Sequence, residues 1–254
     1  MASTTHTADA FLGGKLRLAQ PENGHRAGLD AVMLAAATPV KTGQTVLDAG
    51  SGMGVAGLCI ARRVPGCHVT GIEIDPALAT LAVENAKANG LLDRYQALSA
   101  DLTGPLSRIE ALGLKRESFD VLVSNPPFYR AGRGSLPPEA SRERASVMPE
   151  GGLEQWIRFM TAMTAPAGTL LLIHQTAALG EILTLLDGRC GAANVFPLFP
   201  RAGEAAHRIL VSARKGSRAG LTLRQGMVLH GADNQFTPEA EAVLRHGAAI
   251  AIVD

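Results

Sequence analysis

TVLDAGSGMG, residues 45–54, reads as a strand that runs into glycines. Val46 and Leu47 suit a buried strand. Asp48 closes it, and Gly50, Gly52 and Gly54 follow with one residue between each. Glycine enters positive φ without steric cost, so this spacing turns the chain tightly and brings backbone N–H groups close to a ligand. In doubly wound α/β folds such a turn joins the first strand of the sheet to a helix. Gly52, Gly54 and Gly57 also fit G-x-G-x-x-G, which dinucleotide-binding folds share. The glycines by themselves therefore leave the ligand open.

The flanking sequence has the alternation that such a fold needs. Residues 68–75, 94–102, 119–126, 168–175, 195–199 and 207–215 read as strands. Helical patterning occupies 29–37, 55–64, 76–89, 153–164 and the stretch up to about 186. Pro76 opens its helix and Gly90 ends it. Apolar strands separated by amphipathic helices imply a Rossmann-like, mainly parallel sheet with helices on both faces. Ligands then bind at the carboxyl ends of the strands. Residues 15–20 suggest a short strand, and 129–150 a loop rich in Arg, Gly and Pro. The tail offers LTLR, MVLH and a helix over 238–246. The expected organisation is a disordered segment over residues 1–10 and one domain over 11–254. Within it, 11–40 is an N-terminal extension over the ligand site and 217–254 a C-terminal addition.

Composition excludes several classes. The net charge is +1, so the whole chain is no electrostatic nucleic-acid binder, and any basic footprint is local. Aromatics make up 4%, which argues against a surface of many stacked bases. Cys59, Cys67 and Cys190 lack metal-ligand spacing, so no metal is expected and the thiols read as reduced and cytoplasmic. The N-terminus carries no signal-peptide core, and no apolar run is long enough to span a membrane.

The acidic residues on the rim narrow the ligand. Asp48 would repel a pyrophosphate but suits an ammonium group. Glu73 ends the second strand and can accept both hydroxyls of a ribose. Asp101 ends the third, where it either accepts from an adenine amino group or caps a turn. An adenosine with a zwitterionic amino-acid tail and no phosphate is S-adenosylmethionine. The pattern resembles class I S-adenosylmethionine-dependent methyltransferases. The resemblance implies a seven-stranded sheet with an antiparallel last strand, for which HRILVSARK (207–215) is the candidate. It assigns the cofactor to Asp48, Gly50, Ser51, Gly52, Gly54, Glu73 and Asp101.

SNPPF, residues 124–128, follows the fourth strand. In the family it resembles, an Asn-Pro-Pro-aromatic run marks methylation of a planar nitrogen. Such a nitrogen has a delocalised lone pair and is a poor nucleophile. Acceptors on its hydrogens, here the Asn125 side-chain oxygen and the Pro126 carbonyl, draw density back onto it. Residues before proline are held extended, so Pro126 and Pro127 fix where those oxygens point. Phe128 would stack on the base. No general base is demanded.

The motif serves adenine N6, guanine N2 and glutamine amides alike. GHRAGLDAVMLAAAT (24–38), HRILVSARKG (207–216) and LHGADNQFTPEAEAVLR (229–245) resemble bacterial valine-tRNA adenine-N6 methyltransferases of the small-subunit-type superfamily. That likeness implies an RNA substrate, a tRNA with the modified adenine beside the anticodon. Methylation of guanine N2 in rRNA or of a protein glutamine stays open. So do an RNA-binding protein that keeps only the fold and a nicotinamide-dependent oxidoreductase. Asp30 lies beside the pocket or caps a helix. Arg130, Arg133, Arg142 and Arg144 are candidate phosphate contacts, as are six basic residues over 201–224. His174, His207 and His230 have no usable spacing, and Trp156 reads as core.

Overall fold

The computed structural model describes residues 6–22, 28–127, 129–130, 147–148 and 151–253. Phe128, Arg133, Arg142 and Arg144 lie outside these, and only the backbone of Arg130 is described. The chain begins with a correction to its own sequence pattern. Residues 6–10, expected as part of a disordered N-terminus, belong to strand β1 (His6–Phe11). It pairs antiparallel over its full length with β2 (Leu16–Pro21). The alternation HTADAF has the period of a strand, and its partner supplies the ladder that a lone polar segment lacks. The Gln20 amide also donates to Asp9 across the pair.

β2 has a second edge, and two side chains complete it. Asn85 and Asn89 lie on α3 (Pro76–Ala88) and at its C-terminal cap, one helical turn apart. Asn85 accepts from Ala19 N (2.7 Å) and donates to Ala19 O (3.1 Å). Asn89 accepts from Arg17 N (3.0 Å) and donates to Arg17 O (2.8 Å). Four helical residues rise about 6 Å and two strand residues about 6.6 Å, so the amides match the ladder repeat. A helix thus acts as the neighbouring strand.

Between hairpin and α3 come α1 (Leu29–Ala37), β3 (Thr45–Ala49), α2 (Val55–Arg63) and β4 (His68–Glu73). After α3 follow β5 (Tyr95–Ser99), the short α4 (Leu106–Glu110) and β6 (Phe119–Ser124). Two-residue strands β7 (Tyr129–Arg130) and β8 (Val147–Met148) pair in parallel. Next are α5 (Gly152–Met163), β9 (Thr164–Gln175), α6 (Leu179–Leu186), β10 (Cys190–Arg201) and β11 (Arg208–Lys215). The tail holds β12 (Thr222–Leu223), β13 (Met227–His230) and α7 (Pro238–Glu241), which continues into a π-helical turn over Ala242–His246.

The sheet runs β12-β10-β11-β9-β6-β3-β4-β5. β3, β4, β5, β6 and β9 are parallel, and β11 is antiparallel to both β9 and β10. HRILVSARK therefore supplies the antiparallel strand. Beyond the seven expected strands, β12 and β13 both add to the outer edge of β10, giving nine. Side chains alternate between two cores. Val46, Val121, Val123, Leu171 and Ile173 pack with α1, α2 and α3. Leu47, Leu122, Leu170 and Leu172 pack with α5 and α6. Burial on both faces explains why these strands read as continuous apolar runs.

The C-terminal segment packs against α1 and against the turn between β1 and β2. Ile250 N donates to Ala36 O (2.9 Å), and Lys15 Nζ to His246 O (2.8 Å). A side chain on Gly13 would strike Arg245 O at 2.5 Å. At the other end of α1, Asp30 pairs with Arg208 of β11 at 3.0 Å. Asp30 is thus engaged in an ion pair across the fold, and no cap hydrogen bond from a side chain is made at Gly28.

Candidate active site

The order of the parallel strands reverses between β3 and β6, with β4 and β5 added on one side and β9 on the other, and the candidate residues collect there. Asp48, Glu73 and Asn125 stand at the carboxyl ends of β3, β4 and β6, and Asp101 follows the end of β5. Four adjacent strand ends span about 15 Å, the length of an adenosine with an amino-acid tail.

The glycine turn forms as its spacing predicts, with φ of 75°, 54° and 88° at Gly50, Gly52 and Gly54. The three glycines have different reasons to be there. A side chain on Gly50 would lie 2.7 Å from the Trp156 ring, and one on Gly54 2.7 Å from the Tyr95 hydroxyl. Gly57 and Gly71 also make room for Tyr95. Gly52 alone of the three turn glycines would point a side chain into open space. Its backbone is the approachable part of the cradle.

Glu73 organises that cradle. Its Oε2 accepts from Gly52 N at 2.8 Å and its Oε1 from Asp75 N at 3.0 Å. A carboxylate has about four acceptor directions, so each oxygen keeps one for a hydroxyl. The turn is also stitched to β4, since Gly50 N and Ser51 N both donate to Ile72 O at 2.9 Å. Asn85 donates to Met53 O at 3.1 Å, which ties the turn to the β2 strap.

Asp48 does not face the open rim. It is 2% exposed, and its Oδ2 accepts from Gly57 N at 3.0 Å. Burial pushes its carboxyl up to about 7; the Gly57 N–H opposes this and the Glu73 charge adds to it. Tyr95 and Ser51 hydroxyls lie beneath the same turn, near each other but without hydrogen-bond geometry, and neither has a partner. Asp101 uses Oδ1 locally, accepting from Thr103 N (2.9 Å) and Thr103 Oγ1 (2.6 Å). That is turn capping, and Oδ2 is left for other donors.

At the corner after β6, Asn125 Oδ1 is buried and takes no hydrogen bond. An orphaned buried acceptor costs about 1–3 kcal/mol, and a donor brought to this oxygen would relieve that cost. Pro126 is buried and Pro127 half-buried beside it. Ser124 is fully buried; its Oγ donates to Ala49 O (2.7 Å) and accepts from Trp156 Nε1 (2.7 Å).

Sequence patterning did not single out Ser124, Tyr95 or Ile74. Ile74 is 65% exposed directly after Glu73, a large aliphatic side chain left open to solvent at the strand end. A bare Ile between two acids was the available signal. The basic stretch over 201–224 is largely engaged within the fold. Arg208 pairs with Asp30, Lys215 with Glu117, Arg201 with Glu204, and Arg224 donates to Asn194. Cys59 is buried with its thiol pushed up to about 12, which suits packing rather than nucleophilic chemistry. Among the described residues no cluster of His, Cys, Asp or Glu could hold a metal, and no helix is long and apolar enough to cross a membrane.

The residues present fit S-adenosylmethionine: open space at Gly52, a Glu73 with spare acceptor directions at the end of β4, and an unpartnered Asn125 oxygen at the end of β6, on the other side of β3. Comparison with known proteins agrees. The methyltransferase small domain matches residues 27–137. A tRNA1(Val) (adenine(37)-N6)-methyltransferase of Aeromonas hydrophila is 31% identical over 217 residues, 84% of this chain and 85% of that protein. One from Porphyromonas gingivalis is 35% identical over 169 residues, 65% of this chain and 64% of that protein. The crystal structure of a predicted O-methyltransferase from Agrobacterium tumefaciens superposes with a TM-score of 0.73 at 31% identity. It covers 87% of this chain and 98% of that one. A geranyl diphosphate methyltransferase in complex with S-adenosylmethionine shares the fold, with a TM-score of 0.52 at 14% identity, over 72% of this chain and 82% of that one.

Proposed function

The chain belongs to the tRNA1(Val) (adenine(37)-N6)-methyltransferase family, and from that premise we propose that it methylates the exocyclic nitrogen of an adenine beside a tRNA anticodon. The observation that carries the reading is the buried, unpartnered Asn125 Oδ1 beside the glycine turn. S-adenosylmethionine, when bound, supplies a methyl group on a positively charged sulfur. Glu73 holds the ribose through its free acceptor directions, and Ile74 covers the adenine ring of the cofactor. Asp101 Oδ2 is the acceptor for that ring's amino group. Ser51 and the Gly50, Gly52 and Gly54 backbone carry the amino-acid tail, with the charge of Asp48 acting on its ammonium from beneath the turn.

Asn125 and the Pro126 carbonyl accept the two hydrogens of the substrate amino group. This favours pyramidal nitrogen as the new bond forms, and the fixed acceptors need no reorganisation during the reaction. The base is flipped from the stack into this corner, where Phe128 is its stacking partner. Arg130, Arg133, Arg142 and Arg144 are the proposed phosphate contacts. We assign the protein to the cytoplasm, with the chain from β1 onward as one catalytic domain.

Oxygen methylation is the second reading, favoured by the Agrobacterium relative's description. A hydroxyl acceptor needs a base to take its proton. Asn125 is no base, and Asp48 is buried behind the turn, which supports nitrogen. The test is Asn125→Ala with tritiated methyl transfer to tRNA, followed by nucleoside analysis. The rate should fall by about 10²–10³, with cofactor affinity by calorimetry nearly unchanged. Equal loss of both would make Asn125 structural, and a 2′-O-methylated product in wild type would overturn the nitrogen assignment.

A further inference from the structure

Cofactor and acceptor are held by different strand ends, β3 and β6, beyond the last pair of their ladder, Ala49 with Ser124. Past that point the sheet no longer fixes one end against the other. Trp156, the one tryptophan of the chain, bridges the gap. Its Nε1 donates to Ser124 Oγ at 2.7 Å, and Ser124 Oγ donates on to Ala49 O at 2.7 Å. Its benzo edge lies where a Gly50 side chain would stand, 2.7 Å from that ideal position. One ring therefore touches the residue before Asn125 and the first glycine of the cofactor turn. Gly50 is needed for its φ of 75° and for the room it leaves the indole.

We propose that Trp156, through Ser124, is a positioning residue that sets the distance between the cofactor turn and the Asn125 corner. It touches neither reactant in this role. Transfer between two bound groups tolerates little slack, and a misplacement of about 1 Å costs on the order of 100-fold in rate. The inference rests on the methyltransferase reading for its kinetic arm only.

The experiment compares wild type with Trp156→Phe, Ser124→Ala and the double variant. Trp156→Phe keeps a ring and loses the N–H; Ser124→Ala keeps the ring and loses the acceptor. Single-turnover methyl transfer to tRNA should slow by about 10- to 100-fold in each. KM for cofactor and RNA should stay within about twofold, and both single variants should remain folded, with urea midpoints lowered by no more than the one or two hydrogen bonds removed. Because either change removes the same link, the double variant should be no slower than the worse single one. Amide hydrogen exchange should quicken at residues 50–52 and 124–125 and nowhere else. Unchanged rate and exchange in Ser124→Ala would overturn the proposal. So would a raised KM at constant kcat, which would put Trp156 in direct contact with a ligand. If wild type methylates no RNA, the functional reading falls, and the exchange pattern still decides the positioning role.

Discussion

Replacing Asp48 by Asn tests how the cofactor turn is supported from below. The carboxyl is buried and pushed from an ordinary 3.8 to about 7, mainly because burial penalises its charge. Below about pH 4 it is protonated folded and unfolded alike, and contributes no pH dependence. Between about 4 and 7 the unfolded chain gives up this proton while the folded chain keeps it, so rising pH costs stability. Above 7 both are ionised and the cost is complete. Each unit is worth about 1.4 kcal/mol, so the full penalty is roughly 4 kcal/mol. Asparagine removes it. Its oxygen still accepts from Gly57 N. From pH 5 to pH 8, the stability of Asp48→Asn relative to wild type should rise by about 2–3 kcal/mol. Urea unfolding at both pH values, with unchanged m, reads this directly. A difference that does not vary with pH would refute the reasoning. A cationic ligand above the turn favours ionised Asp48, so wild-type cofactor affinity should rise with pH through about 7 and the variant's should not.

Two further outcomes follow from the same cradle. Glu73→Ala removes the ribose acceptor and the anchor of Gly52 N; cofactor affinity by calorimetry should fall at least about tenfold, and unchanged affinity would remove Glu73 from the ribose. Asn85→Ala strands Ala19 N, Ala19 O and Met53 O. Three lost hydrogen bonds should cost about 3 kcal/mol in urea unfolding, and a loss under 1 kcal/mol would mean the β2 strap is held by packing alone.

What is local in the chain was legible in the chain. The strand TVLDA, the positive-φ glycines after it, Pro76 opening its helix, and the alternation of strands and helices all rest on near neighbours. So does the stiffness of Asn125-Pro126-Pro127. The acidic rim was legible because a parallel sheet puts every strand end on one side. The hairpin of β1 was not, since a short polar strand exists only through the partner it finds.

Tertiary structure decided what each of these residues faces. Three glycines spaced alike serve an indole, a phenol and open space. Asp48, one residue inside the strand end, is buried beneath the loop against Gly57 N. Asn85 and Asn89 stand in for a strand. Asp30 meets Arg208 across 178 positions, and Ser124 meets Trp156 across 32. Backbone preference depends on neighbouring residues, whereas burial and hydrogen-bond partners depend on which distant segments the sheet brings together. The sequence alone determined a glycine turn and a stiff Asn-Pro-Pro corner. The packed fold set them side by side and tied them with one ring.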